Sequence, residues 1–365
     1  MKGKINWEVL SLTRFLLALI VMIGHLEEYS QIGYFKWVTY FGSFEAILGF
    51  LLISGISIGK SISKDQTNYF KRRFQRIYPV YAASILFQVV VAWATMNAGV
   101  IFFILLNLLF LNQIFTDTSF VQPAWTLATE VWLYALAPVF LKSSKKTLYT
   151  LIIASFVCYT IYTCGRTIFN WNYYAGTKYG INLVLLAYIW IAGFALAIFP
   201  NYRKQHKLMI ALLLIGHIGL TILMQVVYRI KNDQWSEIVS TDLLPFIGKT
   251  CCLVFVYYVV MFNHKIPSFK PFANKVFNLL GNISYPLYLT HLTTFQLLHK
   301  NQFSNVYVMI TSGLLFSFLI YYIFDFYSKK RVLAKSSMHG SIQVKESRLN
   351  NYSTTSDRPA RIFKA

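Results

Sequence analysis

The sequence is poor in charge. Of its 365 residues only 13% are Asp, Glu, Lys or Arg, where an ordinary soluble domain carries about a quarter. A water-facing globule of this size cannot be covered with so few polar groups, which excludes a soluble fold. Acid is the scarcest charge, with 13 Asp and Glu against 34 Lys and Arg, a net charge of +21. Cysteine is scarce too. Cys158, Cys164, Cys251 and Cys252 lie in or beside apolar runs, and no His, Asp or Glu stands at a ligand offset from them. That excludes a disulfide framework and a recognisable metal site, and the four thiols are read as small apolar core residues. A helical-repeat period is missing. Gly24-His25-Leu26-Glu27, after the first apolar run, lacks a small-x-small cleavage pattern, so that run is expected to be retained.

What the chain has in quantity is apolar surface: 56% hydrophobic residues and a mean hydropathy of +0.50. A spanning helix needs about 20 predominantly apolar residues. Residues 9–26, 38–59, 77–96, 148–164, 181–200, 208–228, 243–262, 276–298 and 306–327 meet that measure. Residues 100–141 hold two further apolar pieces, 100–115 and 124–141, around the polar turn TDTSFVQP. Hydropathy leaves open whether they cross once or twice. Charge decides: with a cytoplasmic N-terminus and one net crossing here, 26 of the 34 basic residues fall on the cytoplasmic side, whereas two crossings put KSSKK and later basic loops on the wrong side. The sequence therefore predicts an all-α polytopic membrane protein of about ten transmembrane helices, with N-terminus and C-terminus cytoplasmic. Residues 1–335 form the transmembrane domain, and the polar stretch 336–365 is expected to be a flexible cytoplasmic tail. The same distribution removes nucleic acid as the meaning of the +21.

Ionisable groups inside spans cost about 2.5–3.5 kcal/mol each on insertion scales and are functional candidates by default. Arg14 and His25 lie on the first span, eleven residues and about 16 Å apart, on nearly the same helix face. Their structural alternatives are a snorkelling arginine and an interfacial histidine beside Glu27 and Glu28. FKRRFQRIYPVY, residues 70–81, mixes Arg72, Arg73 and Arg76 with aromatics and reads as an amphipathic segment leading into a helix at Pro79. It is either a topology determinant touching anionic lipid or a fork-shaped receptor for phosphate. Glu130 sits mid-run in PAWTLATEVWLYALAP and must be protonated, paired or functional, with Trp125, Thr126 and Tyr134 as polar edges around it. In GNISYPLYLTH, Ser284, Tyr288 and His291 fall at i, i+4 and i+7 on one face, either a structural seam between helices or part of a site. Glu45, His217, Lys249 and Asp325 are weaker signals; Glu45 and Lys249 are one conceivable structural ion pair.

Five segments in this order, LTRFLLALIVMIGH, LLISGISI, FKRRFQRIYPVY, WTLATEVWLYAL and GNISYPLYLTH, resemble the membrane acyltransferase-3 family, the integral-membrane O-acyltransferases of bacterial polysaccharides. They span roughly residues 7–330. Ser11 stands where family members often carry Asp.

The resemblance implies transfer of an acyl group, foremost acetyl, from acyl-CoA to a hydroxyl of a cell-envelope or secreted glycan, in the inner (cytoplasmic) membrane. The donor, acetyl-CoA, would be a substrate rather than a resident cofactor. Under that resemblance Arg72, Arg73 and Arg76 would hold the CoA phosphates, and His25 would be the general base. Arg14 would position the donor or stabilise the oxyanion, and Glu130 would orient His25 or the acceptor. Trp125, Tyr134, Ser284, Tyr288 and His291 would contact substrate. Attack could be direct on the thioester or pass through an acyl-enzyme. From the residues alone a different class stays open: a transporter or flippase for a lipid-linked or small anionic solute, with Arg14, Glu130 and Lys249 along its path.

Overall fold

A computed structural model describes residues 5–267 and 269–326, with the side chains of Ala94, Asp325 and Phe326 excepted. The expected tail, 336–365, lies outside the described residues, as do the two N-terminal lysines. Eleven helices of eight or more residues build the described part: α1 (Trp7–Leu26), α2 (Ser43–Lys64), α3 (Tyr69–Val91), α4 (Ala98–Leu108), α5 (Ala124–Lys142), α6 (Lys145–Phe169), α7 (Ile181–Ile198), α8 (Arg203–Lys231), α9 (Leu243–Phe262), α10 (Pro271–Lys300) and α11 (Val306–Ile320). No β-strand occurs among the described residues. Local chemistry sets several starts. The Asn6 side chain accepts from the Val9 N–H to cap α1, and Asn97, Ser144 and Asn305 do the same for α4, α6 and α11.

Nine of these helices are long and apolar enough to cross a membrane: α1, α2, α3, α5, α6, α7, α8, α9, and α11 together with the π-helical turn that continues it to Phe324. The protein is thus an all-α polytopic membrane protein. The tenth expected span, 276–298, lies within α10, which has 30 residues and ample length but too many polar groups to rank with the others. Its buried stretch explains how it is tolerated. Residues 283–295, all but Tyr285, are buried against protein, so their hydroxyls and imidazole face neighbouring helices and not lipid. α4, with 11 residues and about 16 Å of length, is too short to cross. One helix of spanning length, α5, remains in the stretch that hydropathy left ambiguous.

Two boundaries differ from expectation. α3 begins at Tyr69 and runs through Pro79 without a break, so the basic segment and the span are one 23-residue helix. An interior proline costs about 3 kcal/mol. Burial of Val80, Tyr81, Ala83, Ser84 and Ile85 outweighs it, and the Tyr285 hydroxyl donates to the Ile77 carbonyl at 3.1 Å beside the proline. α2 starts at Ser43 and not at 38, because Gly42 takes a φ of +77° that ends the preceding short turn.

Close helix approach follows from small residues at contact points. A Cβ at Gly55 would lie 2.1 Å from the Trp190 carbonyl oxygen, and one at Gly193 would lie 2.3 Å from that of Leu52. The two glycines let α2 and α7 touch backbone to backbone. Gly281 plays the same part between α10 and α1, where an added Cβ would meet the Ser11 Cβ at 2.4 Å.

Candidate active site

Arg14 projects from α1 into a cavity of about 140 Å³ bounded by α1, α2, α3, α5 and α10. Its walls carry three guanidiniums, Arg14, Arg73 and Arg76, and one carboxylate, Glu130. Hydroxyls of Ser54, Ser57, Thr126, Tyr134, Ser284, Tyr285 and Tyr288 and the amide of Asn282 complete the polar lining.

These groups are held in place by their neighbours. Arg14 Nη2 donates to Ser57 Oγ at 2.8 Å, and Arg73 Nη2 donates to Ser61 Oγ at 2.6 Å. Ser54, Ser57 and Ser61 stand at i, i+3 and i+7 on α2, so one serine stripe orders two arginines and a tyrosine. Ser54 Oγ and Tyr134 Oη share a hydrogen bond of 2.9 Å, and the Trp190 indole N–H reaches Ser54 at 3.4 Å. This contact depends on the Gly55 approach, which sets α2 against α7 one residue away. Glu130, one turn before Tyr134 on α5, has the Ser54 and Tyr134 hydroxyls beside its carboxylate, with Arg14 and Arg76 as neighbouring cations. At the far end Tyr288 Oη and Thr126 Oγ1 are 2.6 Å apart, and the Phe50 ring packs on Tyr288.

The structure separates three residues that the sequence reading had grouped as one fork. Arg73 and Arg76 line the cavity; Arg72 does not. Helical geometry turns Arg72 toward the α2–α3 connection, where it pairs with the Asp65 carboxylate and donates to the Asp65 carbonyl at 2.6 Å. The Asp65 carboxyl is held below its ordinary range, first by the Thr67 hydroxyl and then by the Thr67 N–H and Arg72. Trp125 is buried in the hydrophobic core beside the site and not on the cavity wall.

His25 stands apart from the cavity, at the other end of α1, and its orienting partner is not Glu130. His25 Nδ1 lies 3.0 Å from His291 Nε2, and His291 Nδ1 lies 2.9 Å from the Leu287 carbonyl. Tyr288 connects the two regions: it lines the cavity, and its ring centre is 6.4 Å from that of His291. Of the weaker polar signals, Glu45 and His217 meet away from the cavity, while the Asp325 side chain lies outside the described residues. His217 takes Glu45 at 3.4 Å on Nε2 and the Tyr159 hydroxyl at 2.8 Å on Nδ1, while Lys249 is only a longer-range charge neighbour of Glu45. Ser57, Ser54, Asn282 and Tyr285 were not singled out as site residues from the sequence, Ser54 entering only within the segment LLISGISI. The serine stripe at helical spacing on α2 was the signal for the first two.

A family profile described as an acyltransferase domain, that of the acyltransferase-3 family, matches residues 7–333. The chain belongs to the acyltransferase-3 family. A protein of Acidianus two-tailed virus, named "Putative acetyltransferase ORF330", is 25% identical over 251 residues, which make up 68% of this chain and 70% of that one. No solved structure matches the chain. As an acyltransferase-3 protein the chain is a multi-pass membrane acyltransferase. All five segments that carried the resemblance contribute to the cavity or to the histidine pair. LTRFLLALIVMIGH supplies Arg14 and His25, LLISGISI the serines, FKRRFQRIYPVY two arginines, WTLATEVWLYAL Glu130, and GNISYPLYLTH Tyr288 and His291.

Proposed function

We propose that this acyltransferase moves an acyl group, foremost acetyl, from acetyl-CoA to a hydroxyl of a cell-envelope or secreted glycan, acting in the inner membrane. The observation that carries this reading is the cavity, where three guanidiniums face one carboxylate inside an apolar bundle. Such an excess of fixed positive charge in a low-dielectric space favours a polyanionic guest, and guanidinium forks suit phosphate oxygens. Arg73 and Arg76 bind the phosphates of CoA. Arg14, deeper along α1, positions the donor so that its acyl end extends toward His25. The positive-inside charge distribution supports a cytoplasmic entrance on the side of Arg73 and Arg76. The acceptor, lipid-linked or polymeric, approaches from the His25 end.

In the reaction the acceptor hydroxyl oxygen forms a bond to the thioester carbonyl carbon while its proton passes to His25. The carbon–sulfur bond then breaks, and the departing CoA thiolate takes the proton back from His25, so that ester and free thiol leave a neutral imidazole. Neutral imidazole is the one side chain that titrates unperturbed near neutral pH, which suits it to both transfers.

The reading is tested by mass spectrometry of envelope and secreted glycans from cells that lack the protein, complemented with the wild type or with His25→Ala. The expected result is a mass increment of one acetyl ester per modified sugar with the wild type only. Glycans identical in all three strains contradict the proposal, and a purified protein that fails to bind immobilised CoA points to transport of an anionic solute instead.

A further inference from the structure

The two histidines form a directed hydrogen-bonded pair, and the direction can be worked out from which atoms can donate. The Leu287 carbonyl can only accept, so the 2.9 Å contact from His291 Nδ1 requires a proton on that nitrogen. No carboxylate among the described residues pairs with either ring, the carboxylate–imidazole pair there being that of His217 with Glu45. With His291 neutral and protonated on Nδ1, its Nε2 is a lone pair. The 3.0 Å contact to His25 Nδ1 then requires a proton on His25 Nδ1, and the His25 Nε2 is left unprotonated. The Val21 carbonyl, one turn earlier on α1, also lies within reach of the His25 ring, and it too can only accept.

The ring geometry agrees. The planes differ by only 21° and the centres lie 5.2 Å apart. Nearly coplanar rings joined end to end leave that separation: the 3.0 Å bond plus two short distances from nitrogen to ring centre. Face-to-face stacking would place the centres much closer for the same nitrogen contact.

Burial divides the roles. His291 is fully buried at 0% exposure, whereas His25 is half-buried. Among the described residues His25 Nε2 has no hydrogen-bond partner, yet it is not among the sealed polar atoms that lack one, so it opens on accessible space. Phe295 packs on the His291 ring with centres 5.9 Å apart, and further along the same two helices Gly281 lies against Ser11.

We propose that His291 is a positioning residue that holds His25 in the Nδ1-protonated tautomer, so that the accessible Nε2 lone pair is aimed at the acceptor hydroxyl. This rests on the acyl-transfer reading above for its purpose, but not for its tautomer. When His25 Nε2 takes the acceptor proton, the resulting imidazolium keeps its Nδ1–H on His291 Nε2, a neutral acceptor that steadies the charge without receiving the proton. When the thiolate takes that proton from Nε2, the starting arrangement returns.

The test is nitrogen-15 NMR of histidine-labelled full-length protein in lipid nanodiscs, with the His25 and His291 signals assigned by single substitution. It is paired with steady-state acetyl transfer by His291→Leu and His291→Gln. The wild type is expected to show protonated Nδ1 and unprotonated Nε2 on both rings. His291→Leu removes the acceptor and is expected to shift the His25 proton toward Nε2 and lower kcat at least about tenfold with KM for acetyl-CoA unchanged. His291→Gln, whose amide oxygen can accept from His25 Nδ1–H, is expected to recover most of that loss. A wild-type His25 protonated on Nε2, or Leu and Gln variants with equal kcat, overturns the proposal. If His291→Leu does not fold, the wild-type spectrum alone decides. If the wild type transfers no acetyl, the acyl-transfer reading fails while the spectrum still decides the tautomer.

Discussion

Arg72 and Arg76 are four residues apart, carry the same charge and lie in the same basic segment, yet only Arg76 lines the cavity, which makes the pair a controlled experiment. Arg76→Gln removes one charged donor from the cavity wall. It breaks no ion pair, since Arg76 takes part in none among the described residues. A hydrogen bond to a charged group contributes about 1.5–3 kcal/mol. Its loss is therefore expected to weaken CoA binding by about 10- to 150-fold. Arg72→Gln instead breaks a pair with Asp65 whose side chains are 36% and 46% exposed. An exposed pair of this kind contributes about 0–1 kcal/mol of stability, and CoA affinity is expected to change less than about twofold, since a pair facing away from the guest has no differential contact with it. The assay is isothermal titration of purified protein in nanodiscs with CoA, run at low and moderate salt. Equal losses in the two variants would refute the reasoning, because the effect would then be one of general surface charge. A loss that vanishes at moderate salt for Arg76→Gln would do the same, since enclosed charges are screened far less than exposed ones.

Further outcomes follow from packing and from charge outside the spans. Gly55→Ala forces a Cβ to within 2.1 Å of a backbone oxygen and is expected to cost about 1–3 kcal/mol of stability. Gly219→Ala on α8 meets nothing within 4 Å and is expected to stabilise by up to about 1 kcal/mol; thermal unfolding in one detergent compares the two. The Asp242 carboxyl, between α8 and α9, is held below its ordinary range chiefly by hydrogen bonds from Arg229, at 2.8 and 2.9 Å. A lowered folded pKa contributes stability that is complete above the unfolded value near 3.9 and is lost as pH falls through the folded value. Thermal stability is thus expected to hold from neutral pH down to about 5 and fall in stronger acid, with a shallower acid loss in Asp242→Asn. An unchanged acid profile in that variant would contradict the assignment.

The spans were legible because lipid imposes a simple demand, a run of about 20 apolar residues, that composition reveals directly. Buried ionisable groups were legible for the converse reason, so Arg14 and Glu130 stood out and share the cavity. Orientation about a helix axis was harder to read. Neighbouring residues point about 100° apart, and a run such as KRRFQR does not show which arginine faces inward until the partner helices are placed. The range 276–298 was read as a span, whereas α10 runs from Pro271 to Lys300 and is less apolar than the other spanning helices. Its hydroxyls and imidazole lower its apolarity because protein and not lipid surrounds them, a fact set by tertiary packing. The bond between His25 and His291 joins positions 266 apart; helical spacing placed each on a face but gave no reason for those faces to meet. Gly281 against Ser11 is one close contact that sets α10 beside α1.

The central claim, acyl transfer from CoA through His25, is tested most directly by reconstituting the purified protein in sealed vesicles with radiolabelled acetyl-CoA and a glycan acceptor. Wild-type protein is expected to label the glycan, and His25→Ala protein that still binds CoA is expected to lose about two to four orders of magnitude in rate. Label transferred at equal rates by both proteins, or no label from a wild type that binds CoA, would contradict the account.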